Sequence, residues 1–203
     1  MYSFFKRVFD LFSSLFLFIL LSPLFIIIII LSSLFIGFPV FFVQERSGKN
    51  MKLIKVVKFR TMNNKKDKNG NLLPDAQRST KFGNFLRSTS LDELPQLLNI
   101  IKGDMSVIGP RPLPPQYNSY YTEEEKKRFC VRSGLIQPEV IHNSILPTWD
   151  EQLMWESEYA QKINFLLDVK IFFSVFKTLF KRTKSNYGKN VRESLIEERG
   201  KKQ

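Results

Sequence analysis

The chain has 203 residues, room for one modest domain with appendages rather than for two full domains. Its net charge of +12 and pI near 9.8 call for anionic partners, whether a membrane surface, phosphates or nucleic acid. A single cysteine, Cys130, excludes an intrachain disulfide framework, and one cysteine with one histidine leaves no structural zinc site.

The first element is almost pure hydrocarbon, whereas the mean hydropathy of the whole chain is only −0.15, so the remainder must be hydrophilic. From Leu11 to Val43 no residue carries a formal charge. A straight helix of that length would measure roughly 50 Å, against a hydrocarbon core of about 30 Å. Ser22-Pro23 interrupts the run near its middle, where proline removes a backbone donor and clashes with the preceding turn. The halves on either side are too short to cross separately. A helix-break-helix that enters and leaves on one face fits both length and breaker; a single tilted span with a kink is the alternative. Lys6 and Arg7 before the segment, and Arg46, Lys49, Lys52, Lys55 and Lys58 after it, place both flanks on the cytoplasmic side. The run is too long, and lacks the small-residue cleavage site, for a cleaved signal peptide.

Leu53 to Phe59 has the β-branched and apolar content of a short strand, and Asn63 to Ser79 is a polar loop with Asn-Gly and Pro-Asp. Phe82 to Leu86 begins a short helix ending near Arg87-Ser88. A second runs from about Glu93 to Lys102 and is closed by Gly103. Thr122-Glu123-Glu124-Glu125 reads as a capping box, with Lys126, Lys127 and Arg128 in the last turn, an arrangement that helix stability alone explains. Cys130 is expected as a small core residue. Phe165, Leu166, Val169, Phe172, Phe173, Phe176 and Phe180 recur at helical spacing, opposite Lys170, Ser174, Lys177 and Lys181. That pattern suits an amphipathic helix over 161–182 lying in the membrane interface, or a helix packed on the protein core. The tail 183–203 is charged and expected to be loose. The expected organisation is a re-entrant anchor over 1–43, a catalytic domain over 44–182 and this tail. The fold class is α/β, mostly helical, with a few short strands.

The stretch with chemical content is Ser90-Leu91-Asp92-Glu93-Leu94-Pro95-Gln96, continuing through Lys102-Gly103-Asp104-Met105-Ser106 to Gly109-Pro110-Arg111-Pro112. Proline is tolerated only in the first helical turn, so Pro95 places the N-cap at Asp92. Asp92 then has two readings. One is a capping side chain. The other is a nucleophile for a phosphoryl group at a helix N-terminus, which needs a divalent cation and basic side chains to neutralise the site. Glu93 is the nearest candidate metal ligand. Arg111, held between two prolines, suits a bidentate phosphate clamp, and Lys58, Arg60 and Arg87 are further cations.

Lys58-Phe59-Arg60-Thr61-Met62, Ser90 to Leu97, and Lys102-Gly103-Asp104-Met105-Ser106 through Gly109-Pro110-Arg111-Pro112 together resemble the bacterial sugar transferases, the small monotopic phosphoglycosyl transferases. The likeness extends from Lys6-Arg7 through the Ser22-Pro23 break to the C-terminal amphipathic helix. It implies that Asp92 attacks the sugar-linked phosphate of a UDP-sugar and that UMP is released. Polyprenyl phosphate then takes the phosphosugar from the aspartate. It implies that Glu93 works with Mg2+, the individual assignment between Asp92 and Glu93 being open, and that Lys58, Arg87 and Arg111 lie near the phosphates or uridine. It also implies the bacterial inner membrane, with its anionic lipids, as the location, and the opening of a surface or protein glycan pathway as the role.

One stretch departs from the family. Where many members read Arg-Pro-Gly-Ile-Thr-Gly-Trp-Ala-Gln-Val-Asn-Gly-Arg-Asn, this chain reads Arg132-Ser133-Gly134-Leu135-Ile136-Gln137-Pro138-Glu139-Val140-Ile141-His142-Asn143-Ser144, without the later glycines and the late arginine. Trp149 and Glu156 resume the spacing. That region is expected to border the sugar, and His142 is read as a structurally satisfied loop residue. The altered loop leaves a second function open, a non-catalytic membrane-surface scaffold for glycan enzymes. Nucleic-acid binding is set aside, because the basic residues are spread along the chain and carry no nucleic-acid motif.

Overall fold

A computed structural model describes residues 2–142, 147–184 and 192–200, with the backbone alone over 176–184. Helices dominate. Two apolar helices, α1 (Tyr2–Leu20) and α2 (Ser22–Phe35), open the chain and are bent by 62° to each other. The break falls at Leu21, so Ser22 and Pro23 form the first turn of α2, where proline costs no helical hydrogen bond. Neither helix alone is long and apolar enough to cross a membrane, while the bent pair together is by length and composition.

Two small sheets follow. Strands β1 (Phe41–Ser47) and β2 (Leu53–Phe59) pair antiparallel, β2 over the span its composition predicts. Helices α3 (Asp75–Arg78), α4 (Lys81–Ser88) and α5 (Gln96–Lys102) come next, and Gly103, at φ 97°, closes α5 as expected. The polar stretch 63–79 is thus a loop with one helical turn, α3, inside it. A second, parallel pair joins β3 (Ser106–Ile108) to β4 (Gly134–Ile136). Their backbones come so close that a Cβ on Gly134 would stand 2.0 Å from the Gly109 nitrogen, so both positions require glycine. Helices α6 (Glu123–Lys126), α7 (Trp149–Lys162), α8 (Phe165–Lys184) and α9 (Leu195–Gly200) complete the chain.

The bent pair is bolted to the rest by polar groups. Arg7 donates to the carbonyls of Ile100 (2.5 Å) and Ile101 (2.8 Å), capping the C-terminus of α5. Asp10, 2 % exposed, accepts from Ser106 Oγ (2.7 Å) and Val107 N (3.1 Å) in β3. Lys6 pairs with Asp168 of α8 at 2.7 Å, and the Tyr2 and Tyr159 hydroxyls donate to the same carboxylate. The apolar side of the contact merges Phe25 and Ile28 of α2 with Val56 and Phe59 of β2 and with Leu86, Leu97 and Ile100.

Helix α8 meets both sequence readings in part. Ile171 is fully buried beside Ile108 and Tyr159, while Phe165, Leu166, Phe172 and Phe173 stay exposed. The side chains of Phe176, Lys177, Phe180 and Lys181 lie outside the described residues.

Three expectations are corrected. Cys130 is exposed, not a core residue. Arg128 is not a solvated last-turn charge: the capping box of Thr122 and Glu125 forms, but α6 tightens into a 3-10 turn over Lys127–Cys130. That turn drives the guanidinium inward against Glu156, with 1 % and 0 % of the two side chains exposed. The tail is not loose throughout, since Leu195 in α9 is fully buried among Leu113, Tyr121, Phe129, Trp149 and Leu153.

Removing one partner of a buried ion pair leaves the other charge desolvated and alone. Arg128→Met is therefore expected to lower stability by about 3–5 kcal/mol, read by thermal unfolding in detergent; a loss within the surface range of about 0.5 kcal/mol would mean that Glu156 finds other compensation.

Candidate active site

All six polar residues singled out in the sequence line one open cavity of about 550 Å³. Four short elements bring them there. The end of β2 supplies Lys58, with Arg60 just beyond it, and the last turn of α4 supplies Arg87. A 3-10 turn over Leu91–Glu93 carries Asp92 and Glu93, and Arg111 follows β3. Ser22 and Pro23 lie at the helix break rather than at the cavity.

The turn that holds Asp92 differs from the sequence expectation. Asp92 is not the N-cap of the following helix, because α5 begins only at Gln96, with Pro95 in the cap position. Ser90 adopts a left-handed conformation (φ 57°), and the chain then closes two tight turns, Glu93 N–H to Ser90 O at 3.2 Å and Leu94 N–H to Leu91 O at 3.3 Å. Proline at 95 interrupts the i→i−4 ladder and separates this turn from α5. The N–H groups of Glu93 and Leu94 are thus taken by main-chain carbonyls, and Pro95, three residues on, has none to give the Asp92 carboxylate. The capping reading thereby loses its geometry.

Burial pushes the Asp92 carboxyl up to about 6, and the neighbouring Glu93 charge adds to the rise. Lys58 and Arg87 act against it. At neutral pH the group is therefore mostly ionised yet more basic than an ordinary carboxylate. Glu93 is itself engaged, accepting from Lys58 Nζ at 2.5 Å. Arg60 is partly buried and reaches the Phe38 carbonyl at 3.4 Å. Arg111 is fixed through its main chain. Its N–H donates to Glu156 Oε1 at 3.0 Å and its carbonyl accepts from Arg128 Nη2 at 2.5 Å, leaving the guanidinium to the cavity.

Among the described residues there is no cluster of three or more His, Cys, Asp or Glu that could hold a metal unaided. The adjacent Asp92 and Glu93 nevertheless fit magnesium, which takes one or two carboxylates and completes its shell with substrate phosphates and water.

The cavity also has walls that the sequence reading did not name. Gln44 of β1 and Gln137, just after β4, line it. Gln137 donates to the Leu135 carbonyl at 2.8 Å through its amide nitrogen, which turns the amide oxygen away from the main chain. Gln137 falls in the stretch that departs from the family, and that departure was the available signal. His142, from the same stretch, stacks on Trp155 with ring centroids 4.0 Å apart and does not line the cavity. Asn143 and Ser144 lie outside the described residues. Burial and the charge of Glu156 push the Glu139 carboxyl upward.

A family model described as bacterial sugar transferase matches residues 1–182. The chain is 42 % identical over 166 residues to the uncharacterized sugar transferase EpsL of Bacillus subtilis (strain 168), covering 82 % of each. It is 36 % identical over 188 residues to the UDP-glucose:undecaprenyl-phosphate glucose-1-phosphate transferase of Escherichia coli (strain K12), covering 87 % of this chain but 39 % of that protein. It is 32 % identical over 186 residues to the UDP-N-acetylgalactosamine-undecaprenyl-phosphate N-acetylgalactosaminephosphotransferase of Aeromonas hydrophila, covering 88 % and 44 %.

The electrostatics of Asp92 can be read directly. In magnesium-free protein, a carbon-13 NMR titration should place its midpoint near 6; Glu93→Gln should move it down and Lys58→Met should move it up. Midpoints unmoved in both variants would show that burial alone sets the value.

Proposed function

The chain belongs to the bacterial sugar transferase family, and on that premise we propose that it is a phosphoglycosyl transferase carrying a sugar phosphate from a UDP-sugar to polyprenyl (undecaprenyl) phosphate. The observation that carries this reading is the Asp92 carboxylate, ionised, uncapped and set in a cavity with Lys58, Arg60, Arg87 and Arg111.

In the first step an Asp92 oxygen attacks the phosphorus that bears the sugar. A phosphorus–oxygen bond forms to the aspartate, the bond to the bridging oxygen breaks, and UMP leaves with that oxygen and its electron pair. In the second step an oxygen of polyprenyl phosphate attacks the same phosphorus, and the Asp92 carboxylate departs. The products are polyprenyl-diphosphate-sugar and the free enzyme. Arg111, pinned at both its N–H and its carbonyl, is a rigid clamp for donor phosphate oxygens. Lys58 and Arg87, which already act on Asp92, oppose the repulsion between carboxylate and phosphate. Magnesium, held by Asp92 and Glu93 together with the donor, would neutralise pyrophosphate charge.

The acceptor's long hydrocarbon chain fixes where this must happen. Lys6, Arg7 and Asp10 at one end of the bent pair, and β1 at the other, join the same body. That supports a re-entrant anchor that enters and leaves on one face, with the cavity at the cytoplasmic side of the inner membrane. The exposed Phe165, Leu166, Phe172 and Phe173 of α8 would lie in the headgroup region with anionic lipids. The product would open a surface-glycan or glycoprotein-glycan pathway, as in exopolysaccharide synthesis.

Purified protein with magnesium, polyprenyl phosphate and a panel of UDP-sugars should release UMP from at least one donor, and Asp92→Asn should abolish the release while folding stays normal. Release that survives the substitution would remove Asp92 as the nucleophile. Accessibility tags near Met1 and Gln203 should report the same side of the membrane; opposite sides would replace the re-entrant anchor with a span.

A further inference from the structure

The family match ends at residue 182, yet residues 192–200 beyond it are built into the molecule. Arg192 lays its guanidinium 3.5 Å from the centre of the Trp149 ring, and the Trp149 indole N–H donates to the Glu193 carbonyl at 3.0 Å. Ser194 and Glu197 cap α9 reciprocally, and Leu195 is fully buried in the cluster around Trp149 and Leu153. At the far end Arg199 donates to the Tyr120 carbonyl (2.5 Å), to both oxygens of Glu125 (2.5 and 2.8 Å) and to Asp150 (2.9 Å). Burial would raise Glu125, but the bonds from Arg199 and Thr122 outweigh it and hold the carboxyl below its ordinary value.

One set of bonds leads from this segment to the cavity. Arg192 donates to the Pro147 carbonyl at 2.5 Å and to Gln152 Oε1 at 2.8 Å. With its oxygen held by Arg192, the Gln152 amide must turn its nitrogen inward, where it donates to Glu156 Oε1 at 3.0 Å. The same Glu156 oxygen accepts the N–H of Arg111, also at 3.0 Å. Were the amide reversed, its oxygen would face the buried carboxylate, an orientation that repels. The guanidinium at 192 thus selects the amide orientation that supports the Glu156 contact to Arg111.

We propose that residues 192–200 form a C-terminal latch and that Arg192 is a positioning residue for the donor side of the cavity, acting through Gln152 and Glu156 to hold Arg111. The role assigned to Arg111, binding donor phosphate, rests on the function proposed above. The latch itself does not.

Two readouts on the full-length protein separate them. Hydrogen exchange at the Arg111 amide should quicken about fivefold in Arg192→Ala, the scale of one lost hydrogen bond, while amides of α5 keep their rates. In the UMP-release assay the KM for the UDP-sugar should rise by a similar factor, with kcat and the KM for polyprenyl phosphate within about twofold. Arg192→Lys should restore part of the loss. On an Arg111→Ala background Arg192→Ala should add nothing further. Gln152→Met, which cuts the connection and leaves the contacts of Arg192 with Pro147 and Trp149 and those of Arg199 in place, should reproduce the exchange effect if Arg192→Ala proves poorly folded. Unchanged exchange at Arg111, equal rises in both KM values, or effects that multiply on the Arg111→Ala background would each overturn the proposal. If the unaltered protein releases no UMP, the functional reading fails, and the exchange result still decides the latch.

Discussion

Glu156 has no exposed surface, and its carboxylate is satisfied from three directions. Arg128 donates to Oε2 at 2.7 Å, and the Arg111 N–H and Gln152 Nε2 both donate to Oε1 at 3.0 Å. A charge taken out of water is tolerated only when its oxygens are filled in this way. The consequence is geometric. Helix α7, the 3-10 turn at 127–130 and the segment after β3 must meet at one point, and Arg111 is held there by both of its main-chain groups. Flanking prolines restrict the backbone further. The phosphate clamp proposed for Arg111 needs a guanidinium whose base does not move, and these main-chain contacts support that reading.

The other fixed relation is between the cavity and the apolar helices. α1 is apolar on most of its surface, yet its charged groups Lys6, Arg7 and Asp10 all turn to the soluble body. Lys6 and Arg7, two of the flanking cations that the sequence offers as a topology signal, are thus engaged in structure. They tie the start of the segment to the body that its end also enters. Phe25 of α2 packs on Phe59 of β2, with ring centroids 5.6 Å apart, and Lys58 stands beside it in the strand. The placement of the bent pair and the position of the site are therefore set by neighbouring side chains in one core.

Much of this was legible wherever a local rule had no competitor. Leu53–Phe59 forms the strand its β-branched content predicts, Gly103 closes α5, and Thr122 with Glu125 makes its capping box. The residues chosen for phosphate chemistry converge on one cavity, although they lie from 58 to 111 in the sequence. Illegible features depended on distant partners. Arg128 looks like a helix-end cation until Glu156, 28 residues away, is brought against it. The tail reads as loose by its charge, but Trp149 gives it an indole N–H and a ring face, and Glu125 and Asp150 receive Arg199. Asp92 was misplaced for a subtler reason. The proline rule puts Pro95 in the first turn of a helix capped by Asp92, whereas it stands at the junction between a 3-10 turn and α5.

That misplacement bears on the chemistry. A capping carboxylate shares its charge with backbone N–H groups and is lowered in basicity, which would make it a poor nucleophile. Half-buried and beside Glu93, Asp92 is raised to about 6, although Lys58, Arg87 and a backbone hydrogen bond at Asp92 itself oppose the rise. In the proposed reaction the same group must attack phosphorus in one step and leave it in the next. High basicity favours the first and opposes the second. The incoming nucleophile of the second step is a phosphate monoester, whose second ionisation also lies near about 6. In the magnesium-free site the attacking and departing oxygens of the proposed transfer are then of similar basicity. Burial of the carboxyl, with the Glu93 charge beside it, is what raises that basicity.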